Sequence, residues 1–150
     1  MKLYLIQHGL SLPEEQDPQK PLSEEGKEET QKMGRFIKAE KISVASIWHS
    51  KKMRSIETVR IITEYIEKTE INERVDLNPN DGVGKIKEEL EAVRQDIMIV
   101  GHLPFLQKLA SLLLFENEEN DSITFKNSGI ICLEYQEKWK LLWEITPDLL

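Results

Sequence analysis

Cysteine is nearly missing from this chain: Cys132 is the single one in 150 residues. An intrachain disulfide and any cysteine-clustered metal site are thereby excluded. Cys132 itself, set among Ile130, Ile131 and Leu133, is expected at a buried strand position. Histidine is scarce as well, with three copies, at positions 8, 49 and 102. The longest internal apolar run, residues 109–115, falls far short of the ~20 residues that cross a bilayer. Met1 to Ile6 is too short for a secretory apolar region and no cleavage-like segment follows, so a cytoplasmic location is expected. Positive charge is in deficit, with 20 Lys and Arg against 27 Asp and Glu and a net charge of -7. Average repulsion argues against a general nucleic-acid partner or an anionic membrane, while leaving room for a local basic pocket.

What is present is the make-up of a globular protein, 39% hydrophobic and 31% charged. The length suits a single domain over residues 1–150, large enough to bury most of its apolar surface. Residues 2–7 read as a strand ending at His8-Gly9. Residues 10–22 hold three prolines and no helical period, so they form a loop. Ser23 is a plausible N-cap, followed by Glu24 and Glu25 where the helix dipole favours negative charge, and Met33, Phe36 and Ile37 share one face of that helix. A strand is expected over 42–48, a helix over 53–67 with an apolar stripe, and a short strand over 75–77. A strong turn (Asn78-Pro79-Asn80-Asp81-Gly82) and a helix over 85–94 follow. Residues 96–100 form an apolar strand buried on both faces. Pro104 suits the first turn of a helix running to Phe115, and 122–145 reads as two or three strands with turns near 127–129 and 137–138. Alternating strands and helices predict an α/β fold of three layers, a mostly parallel central sheet flanked by helices.

Two histidines, His8 and His102, follow core strands and sit beside glycine, where the backbone turns sharply and a ligand can come close. Open α/β sheets collect ligands at the carboxyl ends of their strands, so both are expected to face one crevice. His49 is expected to be structural or exposed.

The local sequence around these residues resembles a known family. Leu5-Ile6-Gln7-His8-Gly9 is similar to the leading signature of the histidine-phosphatase (phosphoglycerate-mutase-like) superfamily, normally Arg-His-Gly. Pro21-Leu22-Ser23-Glu24-Glu25-Gly26 resembles that family's entry into its first helix. His49-Ser50-Lys51-Lys52-Met53-Arg54-Ser55-Ile56-Glu57-Thr58 resembles its Ser-Pro-x-x-Arg-Ala-x-Gln-Thr segment, and Val100-Gly101-His102-Leu103-Pro104 its second histidine motif. The short length, the Leu77-Asn78-Pro79 turn and residues 124–128 are similar to the SixA-type phosphohistidine phosphatases. Larger mutase and acid-phosphatase branches of the family carry additional segments over the site, for which this chain has little room; a small-molecule phosphatase or mutase is accordingly the less favoured expectation.

The resemblance implies a metal-independent phosphatase without cofactor, acting on a phosphoprotein, above all one carrying phosphohistidine. His8 would attack phosphorus and form a transient phosphohistidine. Arg54 would grip the phosphoryl oxygens through its planar fork, and His102 would donate to an oxygen as charge builds. Gln7 and Gly9 would complete a pocket able to hold phosphate or sulfate. Asp17 is the candidate general acid, with Glu14, Glu15 and Asp81 as competitors. Glu57 and Thr58 read as an exposed helix charge and a helix-packing residue. The departure is Gln7: glutamine keeps two donors and loses the charge and the five-donor fork. Lys51 or Lys52, where the family has proline, are candidate substitutes. A working phosphatase is therefore weighed against a degenerate one that binds phosphoproteins or phosphate with little turnover. Retention of His8, Arg54 and His102 favours the first.

Overall fold

The strand Lys2–Gln7 (β1) carries four consecutive buried residues, and alternation sends them to opposite faces of one sheet. A computed structural model describes residues Met1–Leu150. The chain continues through α1 (Glu24–Ala39), β2 (Ser46–Ser50), α2 (Met53–Ile62), β3 (Glu70–Arg74) and α3 (Gly84–Val93). Then come β4 (Ile97–Gly101), α4 (Phe105–Phe115), β5 (Ile130–Tyr135), β6 (Trp139–Ile145) and a terminal 3-10 turn at Pro147–Leu149. The six strands lie in the order β3-β2-β4-β1-β5-β6. The first four are mutually parallel, and β5 and β6 add an antiparallel edge.

Leu3 and Leu5 point to one face, where Ile86 and Leu90 of α3 and Phe105 and Leu109 of α4 pack. Tyr4 and Ile6 point to the other, against Met33 and Ile37 of α1 and Val59 and Ile62 of α2. Two helical layers thus enclose the sheet, which is the three-layer, mostly parallel α/β architecture expected. No helix is long and apolar enough to cross a membrane.

Ser23 caps α1 by accepting from the Gly26 N–H at 3.0 Å, and Glu24 and Glu25 occupy the first turn. Gly26 is required there because a Cβ would stand 2.1 Å from the Leu10 carbonyl oxygen. This contact presses the loop after the nucleophile candidate onto the helix start.

Three element boundaries differ from expectation. β2 runs Ser46–Ser50 rather than over 42–48, and α2 stops at Ile62, after which the chain turns so that Ile66 reaches the core. The strand expected at 75–77 lies instead at Glu70–Arg74. It is the sheet's outer strand, paired on one side only, with Ile71 exposed, so it needs no apolar alternation. Leu77 is fully buried nonetheless, as a loop residue of the core.

Candidate active site

β1 and β4 are neighbours in parallel register, with Gln7 opposite Gly101, so the residues that follow them leave the sheet side by side. The His8 and His102 rings meet there, their centroids 5.1 Å apart. The two strand-end histidines are therefore brought side by side.

The backbone around His8 is held from several directions. The His8 N–H donates to the Gly101 carbonyl at 3.0 Å, and the Gly9 N–H to Thr58 Oγ1 at 2.9 Å. Asn127 Nδ2 donates to the His8 carbonyl at 3.0 Å, and the Ser128 N–H to the Gln7 carbonyl at 2.9 Å. Gly9 leaves no room for a side chain: a Cβ would lie 2.8 Å from Thr30 Oγ1 and 3.2 Å from Ser128 Oγ. A nucleophile needs this restraint, because positioning is most of what phosphoryl transfer asks of a protein.

The ring is oriented too. His8 Nδ1 lies 2.7 Å from the Gly9 carbonyl oxygen, a pure acceptor, so Nδ1 carries the proton and Nε2 keeps its lone pair. Burial lowers the His8 pKa to about 4; the Gly9 hydrogen bond works against this, and the charges of Arg54 and Lys20 add to it. Near neutral pH the imidazole is uncharged, as a nucleophile must be.

His102 is 1% exposed and its ring is addressed by two buried serines. Ser50 Oγ stands 2.5 Å and Ser55 Oγ 3.2 Å from Nε2, and Ser50 donates to Ser55 at 3.0 Å. With the Ser50 proton spent on Ser55, the Nε2–H of His102 donates to Ser50, and Nδ1 is left as a bare acceptor. That nitrogen is buried without a partner. Burial first, then the charges of His8, Arg54, Lys52 and Lys20, lower the His102 pKa to about 3. The second partnerless buried side-chain atom is Gln7 Oε1, at the adjoining strand end. A half-turn of the amide would present its NH2 there, a donor suited to an oxyanion.

Arg54 sits in the first turn of α2, where no side chain caps the helix and no acidic residue stands. Its guanidinium enters none of the five ion pairs of the structure. Burial lowers its pKa. Arg74 makes the contrast: it lies 4.3 Å above the Trp48 ring and is forked onto Asp76 and Glu89. A half-buried, unpaired arginine at an uncapped helix N-terminus is an arrangement awaiting an anion.

The remaining residues singled out in the sequence fall as follows. Asp17 belongs to the turn before Lys20, accepting from the Gln19 N–H at 3.0 Å through its carboxylate and from the Lys20 N–H at 2.9 Å through its carbonyl. Glu57 is not a free helix charge; its carboxylate accepts from the Leu22 N–H at 2.8 Å and fixes the first loop against α2. Thr58 does more than pack its helix, since it holds Gly9. His49 is buried, with Nδ1 2.8 Å from the Ser50 carbonyl oxygen.

Lys20, Ser50 and Ser55 were not anticipated as site residues. Lys20 is half-buried with a left-handed backbone (φ 50°), and its charge reaches both histidines. Its place just before Pro21-Leu22-Ser23 was the only signal available. No group of three or more His, Cys, Asp or Glu side chains is placed to hold a metal ion.

Residues 3–81 match the profile of the histidine phosphatase superfamily (branch 1). No curated protein matches the chain in sequence at a significant level. Among solved structures, the protein histidine phosphatase SixA complexed with tungstate is 21% identical, with 99% of each chain covered and a TM-score of 0.86. The alpha-ribazole phosphatase from Shigella flexneri is 16% identical, with 95% of each chain covered and a TM-score of 0.78. A phosphoserine phosphatase variant from Entamoeba histolytica in complex with phosphoserine is also 16% identical, with 95% of each chain covered and a TM-score of 0.71. At these identities the likeness is one of fold.

Proposed function

Since the chain belongs to the histidine phosphatase superfamily, we propose that it hydrolyses a phosphoryl group through a covalent intermediate on His8, with phosphohistidine of a protein as the preferred substrate. The observation that carries this reading is the neutral His8 ring with Nδ1 tied to the Gly9 carbonyl, leaving Nε2 free to attack. The Nε2–P bond forms as the bond from phosphorus to the leaving group breaks. Water then attacks the phosphohistidine, and the P–Nε2 bond breaks to release phosphate. Arg54 grips the non-bridging oxygens, and His102, once Nδ1 takes up a proton, donates to an oxygen as charge grows. Lys20 adds a cation, so the reading calls for no metal. Asp17 is the acid for a leaving alkoxide. A leaving imidazole needs this help less, and that favours phosphohistidine over an alkyl ester.

Gln7 supports a second reading, a phosphate- or phosphoprotein-binding module with little turnover. A lost oxyanion-hole donor costs on the order of 10²–10³ in rate. Hydrolysis of a phosphohistidine protein and of an aryl phosphate, comparing the wild type with His8→Ala and Gln7→Arg, separates the two. A phosphatase loses at least ~10³-fold in His8→Ala and gains roughly tenfold in Gln7→Arg. Full activity in His8→Ala removes His8 as the nucleophile. Saturable phosphate binding without wild-type turnover, rescued by Gln7→Arg, establishes the binding module.

A further inference from the structure

The phosphoryl crevice is continued by a polar cleft of about 430 Å³ between the first loop and the start of α2. Gln19, Lys51, Lys52, Arg54 and Asn78 line it, and no carboxylate does. Arg54, whose charge acts on both His8 and His102, also lines the cleft, so the cleft adjoins the proposed phosphate site. Lys51 and Lys52 are exposed and, like Arg54, take part in no ion pair. What sets these cations apart is that three of them line one cleft that no carboxylate enters. The uncapped N-terminus of α2 adds partial positive charge to the same wall. Self-repulsion among three cations costs free energy unless an anion arrives.

We propose that this cleft holds a second anionic group, carried on the leaving group of the substrate beside the phosphoryl group that His8 and Arg54 receive. The inference rests on the assignment of the phosphoryl site to His8. Beside Pro18 and Met53 the lining side chains are cations and amides, which favours an anion. Two sources share the chemistry: the carboxylates of an acidic stretch flanking a phosphorylated residue, and the second phosphate of a small bisphosphate. Each lysine–anion contact at a wet surface is worth about fivefold in affinity and is screened within about 10 Å at 0.1 M salt.

The test uses two phosphohistidine peptides, identical except for Glu or Ala at the flanking positions, together with a sugar bisphosphate, its monophosphate and p-nitrophenyl phosphate. Wild type and Lys51→Glu are compared by kcat/KM, and the same ligands are titrated for Kd against His8→Ala with and without Lys51→Glu, so that no turnover is needed. The acidic peptide is expected to exceed its Ala counterpart by about tenfold and to lose that advantage in Lys51→Glu, with p-nitrophenyl phosphate changed by less than twofold. An equal advantage for the bisphosphate over the monophosphate assigns the anion to a small molecule, and one confined to the peptides assigns it to a protein. No preference within either pair, or an equal slowing of p-nitrophenyl phosphate by Lys51→Glu, overturns the proposal. Survival of p-nitrophenyl phosphate hydrolysis in His8→Ala would instead overturn the assignment of the nucleophile, leaving the Kd comparison to decide the cleft.

Discussion

Binding of a dianion should drive a proton onto His102. In the free protein Nδ1 of this ring is bare, buried and without a partner, and the pKa stands at about 3. An oxyanion seated on His8 lies about as far from His102 as the His8 ring does, 5.1 Å between centroids. Two negative charges at roughly 5 Å, at an effective dielectric constant of about 20, attract a proton by roughly 6–7 kcal/mol. At about 1.4 kcal/mol per decade, that is close to five decades of proton affinity, enough to carry His102 from about 3 into the neutral range. Sulfate is the probe, because it remains a dianion throughout and brings no proton of its own. Titration calorimetry at pH 6.5 in buffers of different ionisation enthalpy should show proton uptake on sulfate binding, and His102→Asn, which keeps a donor in place, should remove about one proton of it, the rest falling on His8, which the same anion attracts. Observed heats independent of the buffer would sink the argument: His102 would then meet the anion as a neutral ring, with Ser50 turned to donate to Nε2.

Two further outcomes are expected. His8 and His102 both have folded pKa values below the unfolded 6.5, at about 4 and about 3, so the unfolded chain binds more protons between those limits. Their contribution to stability is therefore complete above about pH 6.5 and declines as pH falls toward 3–4, by up to roughly 3–5 kcal/mol each at about 1.4 kcal/mol per pH unit. Urea midpoints for the wild type and the His8→Asn/His102→Asn double variant should diverge across that window, and parallel curves would contradict it. Gly26→Ala places its Cβ 2.1 Å from the Leu10 carbonyl oxygen, which must move. A loss of about 3 kcal/mol or more follows from overpacking against backbone, and thermal melting would show it; a midpoint within a degree or two of wild type would mean the loop yields freely.

The parts of the molecule legible from sequence are those where local pattern and tertiary environment agree. The centre of β1 and nearly all of β4 are apolar because helices cover both faces, and Ser23 with Glu24 and Glu25 announces a helix start by chemistry that works in isolation. β3 was misplaced for the converse reason. Glu-Ile-Asn-Glu-Arg is a strand only because β2 offers it a backbone to pair with, and its half-buried face is made of Asn72 and Arg74, so no apolar period of two marks it. At the site, His8, His102 and Arg54 stood out as residue types beside turns. Ser50 and Ser55 did not, since a serine matters there only through the 2.5 Å and 3.2 Å distances to a ring nitrogen more than forty residues away. Glu57 was misread as solvated because its partner is a backbone N–H in a loop, which leaves no mark in composition.

The position of β1 has a consequence for how the protein comes into being. β1 is central in the sheet, and both its neighbours, β4 and β5, are synthesised well after it. Until residues near 97–101 and 127–135 have left the ribosome, Leu3, Tyr4, Leu5 and Ile6 have no ladder partner, and the carbonyls of Gln7 and His8 lack Ser128 and Asn127. A nascent chain therefore carries His8 before the backbone that orients it, and it exposes an unpaired apolar strand until β4 follows. Such long-range pairing is slow to form. The surroundings of His8 are complete only when residues 97–135 close around β1, so a translation product stopped before them should contain His8 without the hydrogen bonds that hold its backbone.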